Sequence, residues 1–200
     1  MKKILLTLAV MAVVAVSCQR EDEQGDWRIE LDIELENVLG KIEQTTEVDD
    51  ALLTDALLNY AIKPIFLAIE KDGEWEATPP APGLPGCCGL VFYETEVFEY
   101  YVTVPDDKVY RSDAYAYHYD ATTNTLYSES TIHDYTYSCE VKYFDGSSLI
   151  IEGLLAPLDD IYNDFYADRK FLRELKVNKE IRKSLEDGTY TPGSSKTSAL

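Results

Sequence analysis

The chain has 200 residues, with 37 acidic against 18 basic side chains and a formal net charge of −19. So acidic a surface repels phosphate backbones, which sets a nucleic-acid partner aside, and it disfavours adsorption to anionic lipid headgroups. The length and the 46% hydrophobic content suit one domain with a core of its own.

In chain order the first element is a leader. Lys2 and Lys3 precede an apolar run from Ile4 to Ala15, and small Ser17 stands before Cys18. This is the layout of a secretory signal peptide over residues 1–17, and the run is well short of the roughly 20 residues that cross a bilayer. Ala15-Val16-Ser17-Cys18 resembles the lipobox of bacterial lipoproteins, with alanine at 15 where leucine is commoner. The resemblance implies cleavage before Cys18, diacylglycerol on its thiol and an acyl chain such as palmitate on its freed amine. Several chains at ~0.8 kcal/mol per buried methylene hold a domain to a bilayer where one would not. Gln19, Arg20, Glu21, Asp22 and Glu23 resemble the acidic export signal of surface lipoproteins of the Bacteroides group, which implies the outer face of the outer membrane. Read from composition alone, they belong to a solvated acidic tether over 18–26. Loss of the two leader lysines takes the formal charge from −19 to −21.

A single mainly-β domain is expected over 27–187. From Trp27 to Val38, Ile29, Leu31, Ile33 and Leu35 alternate with charged residues, which predicts a half-buried strand. Asp49 or Asp50 can cap a helix carrying Leu52, Leu53, Ala56, Leu57 and Tyr60 and ending near Pro64. Ile65 to Glu70, the turn Lys71-Asp72-Gly73 and Glu74 to Thr78 read as a hairpin. Four of the eight prolines fall between Pro79 and Pro85, so PPAPGLPGCCG reads as a loop. From Leu90 to Leu155 the chain is a run of short strands rich in Tyr, Val, Thr and Phe, separated by turn residues at Asp106-Asp107, Asp120 to Asn124 and Asp145-Gly146. Such runs favour an antiparallel meander that closes into a barrel or folds into a sandwich. Pro157 to Lys176 shows helical spacing; the alternative is a short helix to about Ala167 followed by a last strand through Phe171 and Leu175. One or two helices are expected in all, and the Ser/Thr/Gly-rich tail, 188–200, reads as disordered. The hairpin at Tyr143-Phe144-Asp145-Gly146 and the run Tyr117-His118-Tyr119-Asp120 resemble small lipocalin-like domains of lipoproteins, which implies a lipocalin-like barrel.

Tyrosine is the outstanding residue, with eleven of fifteen between Tyr93 and Tyr143. Tyr115, Tyr117 and Tyr119 share one face of a strand, and Tyr135, Tyr137 and Tyr143 share a face of another with Cys139 and Val141. Phenol faces are flat, apolar and edged with hydroxyls, so Tyr115, Tyr117, Tyr119, Tyr135 and Tyr137 are the candidate ligand-binding residues; equally, tyrosine suits any half-buried strand. Of the cysteines left after lipidation, one of Cys87 or Cys88 can bridge Cys139, or all three are free thiols. With His118 they lack the spacing of a zinc site. His118 and His133 come with no nucleophile motif, and Asp160, Asp164 and Asp168 have four-residue spacing without a calcium loop. No catalytic group, metal or cofactor is expected. The reading is a non-catalytic, lipid-anchored surface protein binding a small apolar or glycan-like ligand or an envelope protein; the alternative is a structural or envelope-interaction lipoprotein without a pocket.

Overall fold

The computed structural model describes residues 28–44, 47–78, 86–103, 108–130, 134–159 and 169–191. Within them lie ten strands: β1 (Ala61–Lys71), β2 (Glu74–Ala77), β3 (Gly86–Phe92), β4 (Glu96–Thr103), β5 (Lys108–Arg111), β6 (Tyr115–Asp120), β7 (Thr125–Glu129), β8 (Thr136–Phe144), β9 (Ser148–Gly153) and β10 (Phe171–Asn178). Every pairing is antiparallel. The order β10-β9-β8-β7-β6-β4-β3-β1 is closed by β1 against β10, which makes an eight-stranded up-and-down barrel; β2 flanks β1 and β5 flanks β4. Closure leaves the ring without an edge, the architecture of lipocalins among other small barrels.

Three helices among the described residues surround the ring: α1 (28–44), α2 (Asp50–Asn59) and α3 (Ile181–Glu186). One more was thus formed than the one or two expected. Asp49 caps α2 by accepting the Leu52 N–H at 3.0 Å. The helix ends at Asn59, before Pro64, because β1 has already begun; Pro64 sits inside that strand at a register shift between Pro64 and Phe66, where a missing N–H is tolerated. The hairpin turn is formed as read, with Asp72 and Gly73 at φ 55° and 88°. Among the described residues no helix is long and apolar enough to cross a membrane.

Three further expectations are corrected. The alternating segment that starts at Trp27 is not a strand where it is described but the helix α1. Leu31, Leu35, Val38, Leu39 and Ile42 recur at three- and four-residue spacing, and Leu35, Val38, Leu39 and Ile42 pack on the outside of the barrel against Phe66, Ala68, Ile150 and Leu172, while the alternating Ile29 and Ile33 stay 59% and 52% exposed. Leu, Glu and Lys favour helix over strand, and that propensity prevails. The Gly86-Cys87-Cys88-Gly89 end of the proline loop is strand, not loop. Finally, 171–178 is not the end of a helix but β10, the last strand through Phe171 and Leu175 that was the alternative reading, while 160–168, with Asp160, Asp164 and Asp168, lies outside the described residues.

The core has three parts. Inside the barrel, Ile62, Leu90, Phe92, Val97, Leu126, Val141, Phe144, Leu149, Ile151 and Leu175 pack with Leu53, Ala56 and Leu57 of α2, so α2 stoppers one end of the ring. Outside, α3 lays Ile181 and Leu185 on Ala61, Cys88, Val91 and Tyr100, and α1 covers the patch already described. At Gly89 an added methyl would meet Leu185 Cδ1 at 3.3 Å, so the small residue lets α3 approach.

Candidate functional site

Alternation along the strands decides which side chains enter the barrel. On β4, Val97 belongs to the interior cluster and Phe98 and Tyr100 to the outer one, so Glu99 and Tyr101 face inward. On β10, Leu175 and Val177 are interior and Leu172 exterior, which turns Phe171 and Arg173 inward. On β1, exterior Phe66 and Ala68 leave Leu67 and Ile69 pointing in. These inward residues lie at the end of the ring opposite α2.

That end is polar. Arg173 Nη1 donates to Asp159 Oδ2 at 2.5 Å, and Nη2 donates to Asp159 Oδ1. Both residues are enclosed, Asp159 completely and Arg173 to 7% exposure. Asp159 Oδ2 also accepts the Leu155 N–H at 2.8 Å, and Ser128 Oγ accepts the Ala156 N–H at 2.9 Å. The segment 155–159, which includes a cis Ala156–Pro157 bond, is therefore latched to the inner wall at two places. Glu99 is half-buried, and burial is the main influence that raises its carboxyl above the usual range; the charge of Asp159 adds to this, while the neighbouring Cys87 thiol and the charge of Arg173 act the other way.

The candidate tyrosines are distributed unevenly. Tyr115 and Tyr137 are inside and almost closed off, at 4% and 3% exposure. Tyr117 is half-buried against the interior cluster, its ring edge-on to Phe92 at 4.9 Å between centroids, and burial raises its hydroxyl. Tyr119 lies nearer α2 and donates to Asp50 Oδ1 at 2.7 Å, so it ties the stopper to the wall. Tyr135 precedes β8 and is 45% exposed, with its ring 6.5 Å from Tyr137. Tyr143 does not share the face of Tyr137: a register shift between Val141 and Tyr143 turns it outward onto the α1 patch. The structure thus gathers Tyr115, Tyr117 and Tyr137 and sets Tyr119 and Tyr135 apart from them.

Cys87, Cys88 and Cys139 are all free thiols, so no bridge to Cys139 is formed. Cys88 belongs to the outer cluster and Cys139 to the interior one, on opposite sides of the wall. Burial pushes the Cys139 thiol up to about 12 and raises Cys87 and Cys88 as well, which keeps them protonated and poorly reactive. His118 is exposed and stacks on Tyr127 at 4.7 Å. His133, Cys18 and 19–23 lie outside the described residues. Among the described residues no group of three or more side chains could hold a metal ion.

Sequence reading missed Glu99, Asp159 and Arg173. The signal was present in two of them: in VFEYYV and FLRELKV a charged residue falls in phase with the inward apolar ones, at 99 between Val97 and Tyr101 and at 173 between Phe171 and Leu175. No family model and no curated protein matches the chain. Among solved structures it is similar to a deswapped triple mutant of bovine odorant binding protein, at 13% identity over 64% of this chain and 79% of that one, with a TM-score of 0.34.

Proposed function

We propose that the protein is a non-catalytic binding barrel, exported by its leader and held by acyl chains on Cys18 to the outer face of an outer membrane, that takes up a small, largely apolar ligand. One observation supports this above others. Leu67, Ile69, Glu99 and Tyr101 face into a closed barrel yet keep part of their surface exposed, so the end opposite α2 is a recess lined by apolar and aromatic groups rather than a fully packed core. Concave sites of this make-up bury most of a small ligand against hydrophobic walls and orient it with few polar groups. Glycans stacked on the phenols are the same reading with a more polar ligand.

The near-complete burial of Tyr115 and Tyr137 favours a second reading, an envelope-interaction lipoprotein whose barrel is filled. Titration with the neutral fluorescent probe N-phenyl-1-naphthylamine separates the two. A binding barrel gives saturable enhancement that small apolar compounds displace, and Tyr117→Ala weakens it at little cost in stability. A filled barrel gives no saturable signal, and Tyr117→Ala then costs roughly 2–5 kcal/mol in denaturant titration, as large-to-small core substitutions do.

A further inference from the structure

At the end of the barrel away from α2, the charges of the described inward residues do not balance. Arg173 meets Asp159 through two parallel N–H···O contacts, a fork in which guanidinium and carboxylate satisfy each other. Glu99 has no such partner among the described residues. The neighbouring Cys87 thiol favours the charged carboxylate only weakly, since S–H is a weak donor. Burial makes an ionised carboxylate there costly, and although the charge of Arg173 favours it, that of Asp159 opposes it, so the carboxyl holds its proton more tightly than usual. Around it, at the same end of the barrel, Tyr101, Leu67 and Ile69 face the interior and are half-exposed.

We propose that this barrel selects small organic cations: aliphatic or aromatic amines whose body lies along Leu67, Ile69 and Tyr101 and whose ammonium pairs with the Glu99 carboxylate. The proposal rests on the ligand-binding reading above and adds the class of ligand to it. An ammonium supplies the strong donor that Glu99 lacks, in surroundings where a charge-assisted bond gains more than it does in water. Phenol faces attract cations further. Anionic amphiphiles such as fatty acids meet the reverse situation, because Arg173 is already paired, Glu99 repels them, and the whole chain carries −19.

The test is isothermal titration of the folded protein with n-alkylamines from butyl to dodecyl, the matched n-alkanols and n-alkanoates, and phenethylamine beside phenethyl alcohol. At neutral pH the amines should bind about ten- to a hundredfold more tightly than the alcohols, the span expected for one hydrogen bond to a charged group. In Glu99→Gln that advantage should vanish while alcohol binding persists. Lowering the pH should erode it too, since Glu99 takes up a proton and loses its charge, and the alcohols should not follow. Glu99→Asp, which keeps the charge but shortens its reach, serves in place of the Gln variant if that does not melt cooperatively, and it should weaken the amines selectively. Equal affinity for amines and alcohols, tighter binding of the alkanoates, or an amine advantage that survives in Glu99→Gln overturns the amine assignment and leaves the binding barrel standing. No binding by any probe removes both.

Discussion

Asp159 has no exposed surface, and its two carboxylate oxygens hold the Arg173 guanidinium and the Leu155 N–H. Replacing it by asparagine preserves the shape and removes the counter-ion to which the buried guanidinium is forked. The expected loss is about 3–5 kcal/mol, the usual cost of breaking one side of a buried pair. The double variant Asp159→Asn/Arg173→Met should recover part of it, because the guanidinium charge is removed along with its counter-ion, and urea titration of the three proteins reads both effects. A single-variant loss below about 1 kcal/mol, as at a solvated surface pair, would show that water reaches the guanidinium. This pair also marks the limit of what could be read from the chain. Asp159 sits in a turn after β9, where no periodicity signals which way it points, and its role exists only because β10 brings Arg173 beside it. Tyr117 and Glu99 differ in the same respect: the tyrosine was singled out by composition, whereas the glutamate was one acid among 37 until the register placed it inside.

At the level of elements, α3 does more than cover the outer patch. Arg182 reaches from it to the Leu58 carbonyl at 2.6 Å, the Leu57 carbonyl at 3.4 Å and the Phe92 carbonyl at 3.0 Å, while its Nε donates to Glu186 at 3.0 Å. One side chain thereby fastens the end of α2 to the end of β3, and its guanidinium lies 5.1 Å from the centre of the Tyr93 ring. Arg182→Ala should cost roughly 2–3 kcal/mol, since carbonyls at a half-buried helix end lose a charged donor. Arg182→Lys should recover only part of it, because an ammonium cannot fork to three carbonyls. Thermal melts of the three proteins provide the comparison, and identical midpoints would mean that the stopper is held by packing alone. The strands from β6 to β9 were legible because period-two runs of Tyr, Val and Thr between Asp and Gly turns have one common solution, whereas β3 and β4 were read as one run and β5 was not singled out. Helix α1 was not, because IELDIEL satisfies a period of two as well as one of 3.6, and the choice is made by Leu39 and Ile42, beyond the stretch that alternates. Likewise β10 was only an alternative, since FLRELKV carries its inward arginine where a reader of hydrophobic pattern expects a break.

For the whole molecule, the acidity of the chain bears on the proposed leader. A net charge of −19 disfavours anionic headgroups, and the lipobox reading assigns attachment to Cys18. Cys18→Ala should therefore leave an uncleaved or freely soluble protein, scored by membrane fractionation and by the mobility of the leader-bearing form. Full recovery of a normally cleaved variant with the outer membrane would remove that assignment. The pairing of Ala61 with Asn178 has a consequence in time as well. The first strand of the ring finds its partner only in the last, so a chain that emerges N-terminus first holds β1 open along one side until 171–178 arrive. High contact order of this kind slows folding, and an unpaired strand is a template for the same strand of another copy. Two such half-formed chains each carry a large excess of carboxylates, and their mutual repulsion keeps the open edges apart for as long as the ring remains unfinished.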